Sequence, residues 1–135
     1  MAVTLKSILH RIRQIDAWLV PPVIVLVVYG ELAQGWAVQV LSFNIWDKIL
    51  HFTAYLGLCL MTTIAVRAGR QAWWRALGLI LMGGTLEIVQ GLTGRDAEIS
   101  DEVANTLGVI CGLGIGWAGV AVLRALNLVD AAHRE

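Results

Sequence analysis

Charge is what this sequence has little of. Only 15% of its 135 residues are Asp, Glu, Lys or Arg, while 58% are hydrophobic. A soluble domain carries about 25% charged residues. A water-soluble chain this short could not bury so much apolar surface, so that class is excluded. Neither sign of charge is in excess, with ten basic residues against ten acidic ones. The electrostatic footprint of a nucleic-acid partner is therefore absent. Cysteine is confined to Cys59 and Cys111, each in the middle of an apolar run. That pattern suits small packing residues and excludes a disulfide framework. No Ser-based nucleophile motif, phosphate-cradling loop, His-x-x-x-His pair or paired-Cys pattern occurs.

Long hydrophobic runs are what the sequence does have. Crossing a hydrocarbon core of roughly 30 Å takes about 20 apolar residues in a helix. Four runs qualify: 17–37, broken only by Glu31; 49–66, with His51; 76–92, with Glu87; and 103–123, with no charge. The expected fold is all-α, a four-helix transmembrane bundle with a short N-terminal amphipathic helix. In that helix Leu5, Ile8, Leu9, Ile12 and Ile15 recur at helical spacing, and Lys6, Arg11 and Arg13 point elsewhere. Such a segment lies in the membrane interface. Basic residues followed by an apolar run also outline a signal peptide, with cleavage near Ala33 or Ala37. The continuation of the run past Glu31 favours a retained span. Pro21 and Pro22 are expected to start or kink it. The organisation is then an interfacial helix over 1–16, a membrane domain over 17–123 and a tail over 124–135.

Orientation follows from Lys and Arg in short loops. Lys6, Arg11, Arg13, Arg67, Arg70, Arg75, Arg124 and Arg134 fall on one side, and only Lys48 and Arg95 on the other. Eight against two places both termini in the cytoplasm. The expected location is a bacterial cytoplasmic (inner) membrane, multi-pass. Trp18, Trp73 and Trp74 would then mark the inner interface, and Trp36 and Trp46 the outer one.

The polar residues gather at the outer ends of the spans. Asp47, His51 and Tyr55 stand at i, i+4 and i+8 and share one helical face, with Lys48 beside them. Glu87 and Gln90 share a face at i, i+3, and Asp101 and Asn105 at i, i+4; Arg95 lies in the loop between those spans. Three helices thus offer polar groups at similar depth. A carboxylate facing lipid near a span centre costs roughly 2.5–3.5 kcal/mol, and the cost falls if the groups face each other or water. An inward-facing polar cluster is expected. Gly108, Gly112 and Gly116, preceded by Ala104, form a small-residue row for close helix packing, and Gly83 and Gly84 could serve similarly. That row could pack within the chain or join two copies as a homodimer.

Taken in order, Asp47-Lys48-x-x-His51-Phe52-x-x-Tyr55, Glu87-x-x-Gln90, Arg95 and Asp101-x-x-x-Asn105-Thr106-x-Gly108 resemble the VanZ-like family of bacterial membrane proteins. The likeness covers roughly Trp46 to Gly116. Two departures stand out: the segment between Gly91 and Asp101 is short and acidic, and Ala97 and Ile99 stand where an aromatic residue is usual. The family's namesake is associated with low-level resistance to the glycopeptide teicoplanin, and no reaction is attached to the family in general. The resemblance therefore implies a membrane fold more than an activity.

Four readings of the polar residues follow. They form a satisfied network that fixes helix register, each intramembrane hydrogen bond being worth about 0.6 kcal/mol. Or they bind a polar headgroup, an envelope precursor or a glycopeptide at the outer leaflet, with Arg95 meeting an anionic group and Glu87 and Asp101 meeting cationic or hydroxyl groups. Or they act as an intramembrane enzyme on an envelope lipid, with His51 and Glu87 as acid and base. A metal held by Asp47, His51, Glu87 and Asp101 is a thinner reading, with one His among carboxylates, and no metal or cofactor is expected. Membrane lipids are the expected partners. Glu31, Asp96, Glu98 and Glu102 read as interfacial or solvated groups without a special role.

Overall fold

The computed structural model describes residues 5–32, 44–93 and 98–132. They form four helices: α1 (Leu5–Leu32), α2 (Asn44–Ala65), α3 (Arg70–Leu92) and α4 (Ile99–Ala132). Each contains a stretch long and apolar enough to cross a membrane: Arg13–Leu32, Ile45–Ala65, Arg70–Leu92 and Ile99–Leu126. The fold is an all-α four-helix bundle, as the hydrophobic runs require. The segments 94–97 and 33–43 lie outside the described residues, and with them Arg95, Asp96, Ala97 and Trp36.

Contacts between the helices set their direction. Arg75 near the start of α3 bonds Asp16 near the start of the α1 membrane span at 2.8 Å, and Gln90 near the end of α3 donates to the Glu31 carbonyl at 2.7 Å. α1 and α3 therefore run the same way. Lys48 on α2 meets Asp101 on α4, so those two also begin together, at the opposite end. The bundle has an Arg75 end and a His51 end.

Leu58, Leu79, Leu86 and Leu113 are buried, but many other large side chains face outward and small residues share the core. Large side chains such as Trp18, Leu26, Tyr29, Leu81, Ile88, Ile110 and Leu126 face outward, while Ala65, Ala68, Ala72, Ala76 and Ala104 are buried. Lipid tails are as apolar as Leu, so burying Leu gains little; close backbone approach by small residues gains contact energy instead. Gly108, Gly112 and Gly116 do this on α4. A Cβ on Gly112 would stand 2.5 Å from the Leu56 carbonyl oxygen, and one on Gly116 2.7 Å from Thr63 Cβ; at Gly108 it would meet the Phe52 carbonyl. The glycine row thus packs against α2 inside the chain.

Two local features concern the helix ends. First, the N-terminal stretch runs into the first span without a break, because α1 continues through Pro21 and Pro22. Proline removes the donors that Ala17 and Trp18 carbonyls would meet at i+4, yet membrane helices tolerate this through local adjustment and neighbouring groups. Likewise α4 continues beyond Leu123 to Ala132. Second, Arg70 and Arg75 sit on α3 rather than in a loop. The α2–α3 turn is only four residues, and Arg67 adopts the left-handed conformation (φ 58°). The Ala68 N–H bonds Thr63 O and the Arg67 N–H bonds Ile64 O, both at 2.9 Å. This pair of bonds caps the last turn of α2, at a position where glycine is usual. Arg124 of α4 donates to the Arg67 carbonyl at 2.7 Å and ties the turn to the bundle.

Candidate functional site

At the His51 end the polar faces converge. His51 is 8% exposed, Glu87 7%, Gln90 3%, Asp101 6%, and Asn105 and Tyr55 are wholly buried. Their burial follows from the i, i+4 spacing on α2 and α4 and the i, i+3 spacing on α3, which turn these side chains toward the bundle axis. Centred among them, His51 Nδ1 lies 3.0 Å from Asn105 Oδ1. An amide oxygen only accepts, so in this contact the His51 Nδ1–H is the donor. The same nitrogen is 3.5 Å from Glu31 Oε1, and Nε2 is 3.9 Å from Asp47 Oδ1.

Lys48 closes the site from above. Its ammonium bonds Asp101 Oδ1 at 2.9 Å and Glu98 Oε2 at 2.7 Å. The Glu98 backbone N–H donates to Glu87 Oε2 at 3.2 Å, so the start of α4 is tied to both α2 and α3. The Lys48 ammonium, helped by the Ser100 hydroxyl, holds the Glu98 carboxyl below its ordinary range. The stabilisation this contributes is present above the unfolded carboxylate pKa and lost as pH falls through the depressed folded value. Lys48→Met is expected to raise the Glu98 titration toward the ordinary carboxylate range, measured by carbon NMR titration of the side-chain carboxyl. An unchanged titration would show that the ion pair does not form in the membrane.

Gly83 forms the floor of the site, and its role is chemical as well as steric. A Cβ there would stand 2.6 Å from Glu102 Oε2, 3.0 Å from Asn105 Nδ2 and 3.3 Å from the Tyr55 hydroxyl. Three polar groups from α2 and α4 therefore meet at one glycine of α3. Asn105 Nδ2, Glu102 Oε2 and Glu87 Oε1 are buried and have no hydrogen-bond partner among the described residues. Gly84, its neighbour, meets nothing closer than 3.8 Å and plays no such part.

The structure assembles Asp47, Lys48, His51, Tyr55, Glu87, Gln90, Asp101 and Asn105 at one end of the bundle; Arg95 lies outside the described residues. Two readings are corrected. Glu31 is not a bystander at the interface: it is 8% exposed and reaches the His51 ring. Glu102 is not a solvated loop group: its Oε1 accepts from the Thr106 hydroxyl at 3.2 Å and its Oε2 points at Gly83. The available signal for Glu31 was a carboxylate closing an apolar run at the same depth as Glu87. Glu98, by contrast, stays solvent-facing, its side chain 46% exposed.

For a metal, ligand atoms of Asp47, His51 and Asp101 all lie within 4.8 Å of one another. Glu87 is not part of that group. Lys48 Nζ already supplies a positive charge to Asp101, and a divalent ion would have to displace it. The residues therefore fit an ion poorly, and no step is derived through one.

No curated protein and no solved structure gives a significant match to the chain. A family model does match it, described as VanZ/LLP1, over residues 4–123. That span takes in all four helices up to the last turns of α4 and every residue of the polar site. With four membrane-spanning helices built around that site, the chain belongs to the VanZ/LLP1 family of membrane proteins.

Proposed function

We propose that the His51 end binds the polar headgroup of an envelope lipid, an envelope precursor or a glycopeptide, and that it does so at the outer leaflet, with both termini cytoplasmic. The carrying observation is a set of buried, unpartnered polar atoms at this end, two of them beside Gly83. Asn105 Nδ2 is a donor; Glu102 Oε2 and Glu87 Oε1 are acceptors. A buried polar group left unpaired costs about 1–3 kcal/mol, and a ligand offering hydroxyl or ammonium donors together with an acceptor would relieve all three. The Lys and Arg distribution supports the outward orientation.

The test is a headgroup-binding panel on the purified full-length chain, with Glu87→Gln beside the wild type. Preference for one headgroup class, weakened about tenfold in the variant, is expected. Equal binding of every headgroup by both proteins would overturn the reading.

One observation favours a second reading, an intramembrane enzyme acting on an envelope lipid. Asn105 Oδ1 orients the His51 ring through Nδ1, and Nε2, 3.9 Å from Asp47, is the ring nitrogen that would exchange a proton. Glu87, buried at the same end of the bundle, would be its acid/base partner. Release of phosphate or headgroup from labelled lipid, lost in His51→Ala, distinguishes this from binding alone.

A further inference from the structure

The Arg75 end of the bundle holds a second polar feature, unrelated to the His51 end. Asp16 is 6% exposed although it lies in the first turns of a membrane-spanning stretch. Its Oδ2 accepts from Arg75 Nη1 at 2.8 Å, while its Oδ1 is buried with no hydrogen-bond partner among the described residues. Both residues sit at the mouth of a cavity of about 400 Å³ between α1, α2 and α3, whose wall is Val20, Ile24, Thr62, Gly78, Leu79 and Met82. On α1 the cavity extends from Asp16 to Ile24, about 12 Å along the helix axis. Thr62 turns its hydroxyl back onto the Cys59 carbonyl, so it offers the cavity little polarity.

The lining is mostly apolar, and Asp16 and Arg75 are its charged residues; on the α1 side Pro21 also leaves the Ala17 carbonyl without an i+4 donor. Arg75 adds a cation whose side chain is 40% exposed and which gives only Nη1 to Asp16. The end is ringed by outward-facing Trp18, Trp73 and Trp74, the residues that settle at headgroup level. An apolar slot thus runs at headgroup depth beside a buried, unpartnered carboxylate oxygen and a guanidinium.

We propose that this groove holds one phospholipid of the adjoining leaflet bearing a primary ammonium headgroup. An acyl segment fills the slot, the ammonium donates to Asp16 Oδ1, and the phosphate meets Arg75. The four charges alternate and cancel, which suits a zwitterion and no net-anionic lipid. A trimethylammonium group has no N–H to give and leaves the carboxylate oxygen unsatisfied. Headgroup chemistry, rather than chain fit, then selects the lipid.

The test uses the full-length chain in mixed micelles with equimolar phosphatidylethanolamine, phosphatidylcholine and phosphatidylglycerol, and counts retained lipid by native mass spectrometry. One phosphatidylethanolamine is expected to be retained about tenfold over phosphatidylcholine. Asp16→Asn should remove that preference while leaving chain occupancy. Gly78→Leu should empty the groove of every lipid class, and the fold should survive it, because nothing lies within 4 Å of a Cβ at Gly78. Glu87→Gln should change none of these results, which separates this site from the headgroup site at the other end. Equal retention of the three lipids by the wild type overturns the proposal. So does a preference that persists in Asp16→Asn or in Gly78→Leu.

Discussion

Gly112→Leu is expected to separate α2 from α4 and to leave little folded protein. The Leu56 carbonyl oxygen and the Leu60 nitrogen lie 2.5 and 2.9 Å from where the first added carbon would stand, with Cys59 Cβ at 3.0 Å. These are mostly backbone atoms and cannot turn aside, so the whole helix must shift. Overpacking a fitted core costs about 1–3 kcal/mol when side chains can adjust; here the loss should lie at or above the top of that range. The consequence spreads, because α2 and α4 supply His51, Tyr55, Asp101 and Asn105. Gly114→Leu and Gly119→Leu are the controls: nothing lies within 4 Å of a Cβ at either position, and both should unfold like the wild type. Denaturant-driven unfolding in mixed micelles, followed by circular dichroism, measures the difference. Equal stability of Gly112→Leu and Gly114→Leu would mean that α2 and α4 do not meet along the glycine row.

Gly83→Ala should spare the fold and remove binding at the His51 end. The contacts its methyl group would make are to side-chain tips, Glu102 Oε2 at 2.6 Å, Asn105 Nδ2 at 3.0 Å and Tyr55 OH at 3.3 Å. Glu102 can rotate away, so stability should fall by no more than about 1 kcal/mol. The methyl group would nevertheless occupy the point on which those groups converge, and the polar ligand should bind at least tenfold more weakly. Gly84→Ala, one residue along, should bind normally, since its nearest neighbour is at 3.8 Å. The headgroup panel used for Glu87→Gln reads both variants. If Gly83→Ala and Gly84→Ala bind alike, the ligand does not enter between Tyr55, Glu102 and Asn105.

Asp16 and Glu31 show where linear reading stops. Both are buried carboxylates on α1, the helix with the most lipid-facing surface: only 6% of its span is buried inside the bundle. Helical periodicity reports a face only when that face contrasts with the rest of the helix. In the span of α1 nearly every other residue is apolar and faces lipid, so two carboxylates near the ends of that span look like boundary markers. Arg75 misleads for a related reason. It reads as a loop charge that sets orientation, and it is also the partner that makes a buried Asp16 tolerable, since an unpaired buried charge is costly.

By itself the sequence determined the number of spans, the all-α class and the shared faces of Asp47 with His51 and Asp101 with Asn105. Each of these depends only on the 1.5 Å rise, the roughly 100° turn per residue and the cost of polar groups in lipid. It also identified the glycine row as a contact surface. Which helix fills that row, what stands above Gly83, and which carboxylates of α1 reach His51 and Arg75 were decided only in the folded bundle. Those outcomes depend on the rotation and neighbour order of rods that share one apolar exterior, and in a membrane that exterior does little to distinguish one rotation from another.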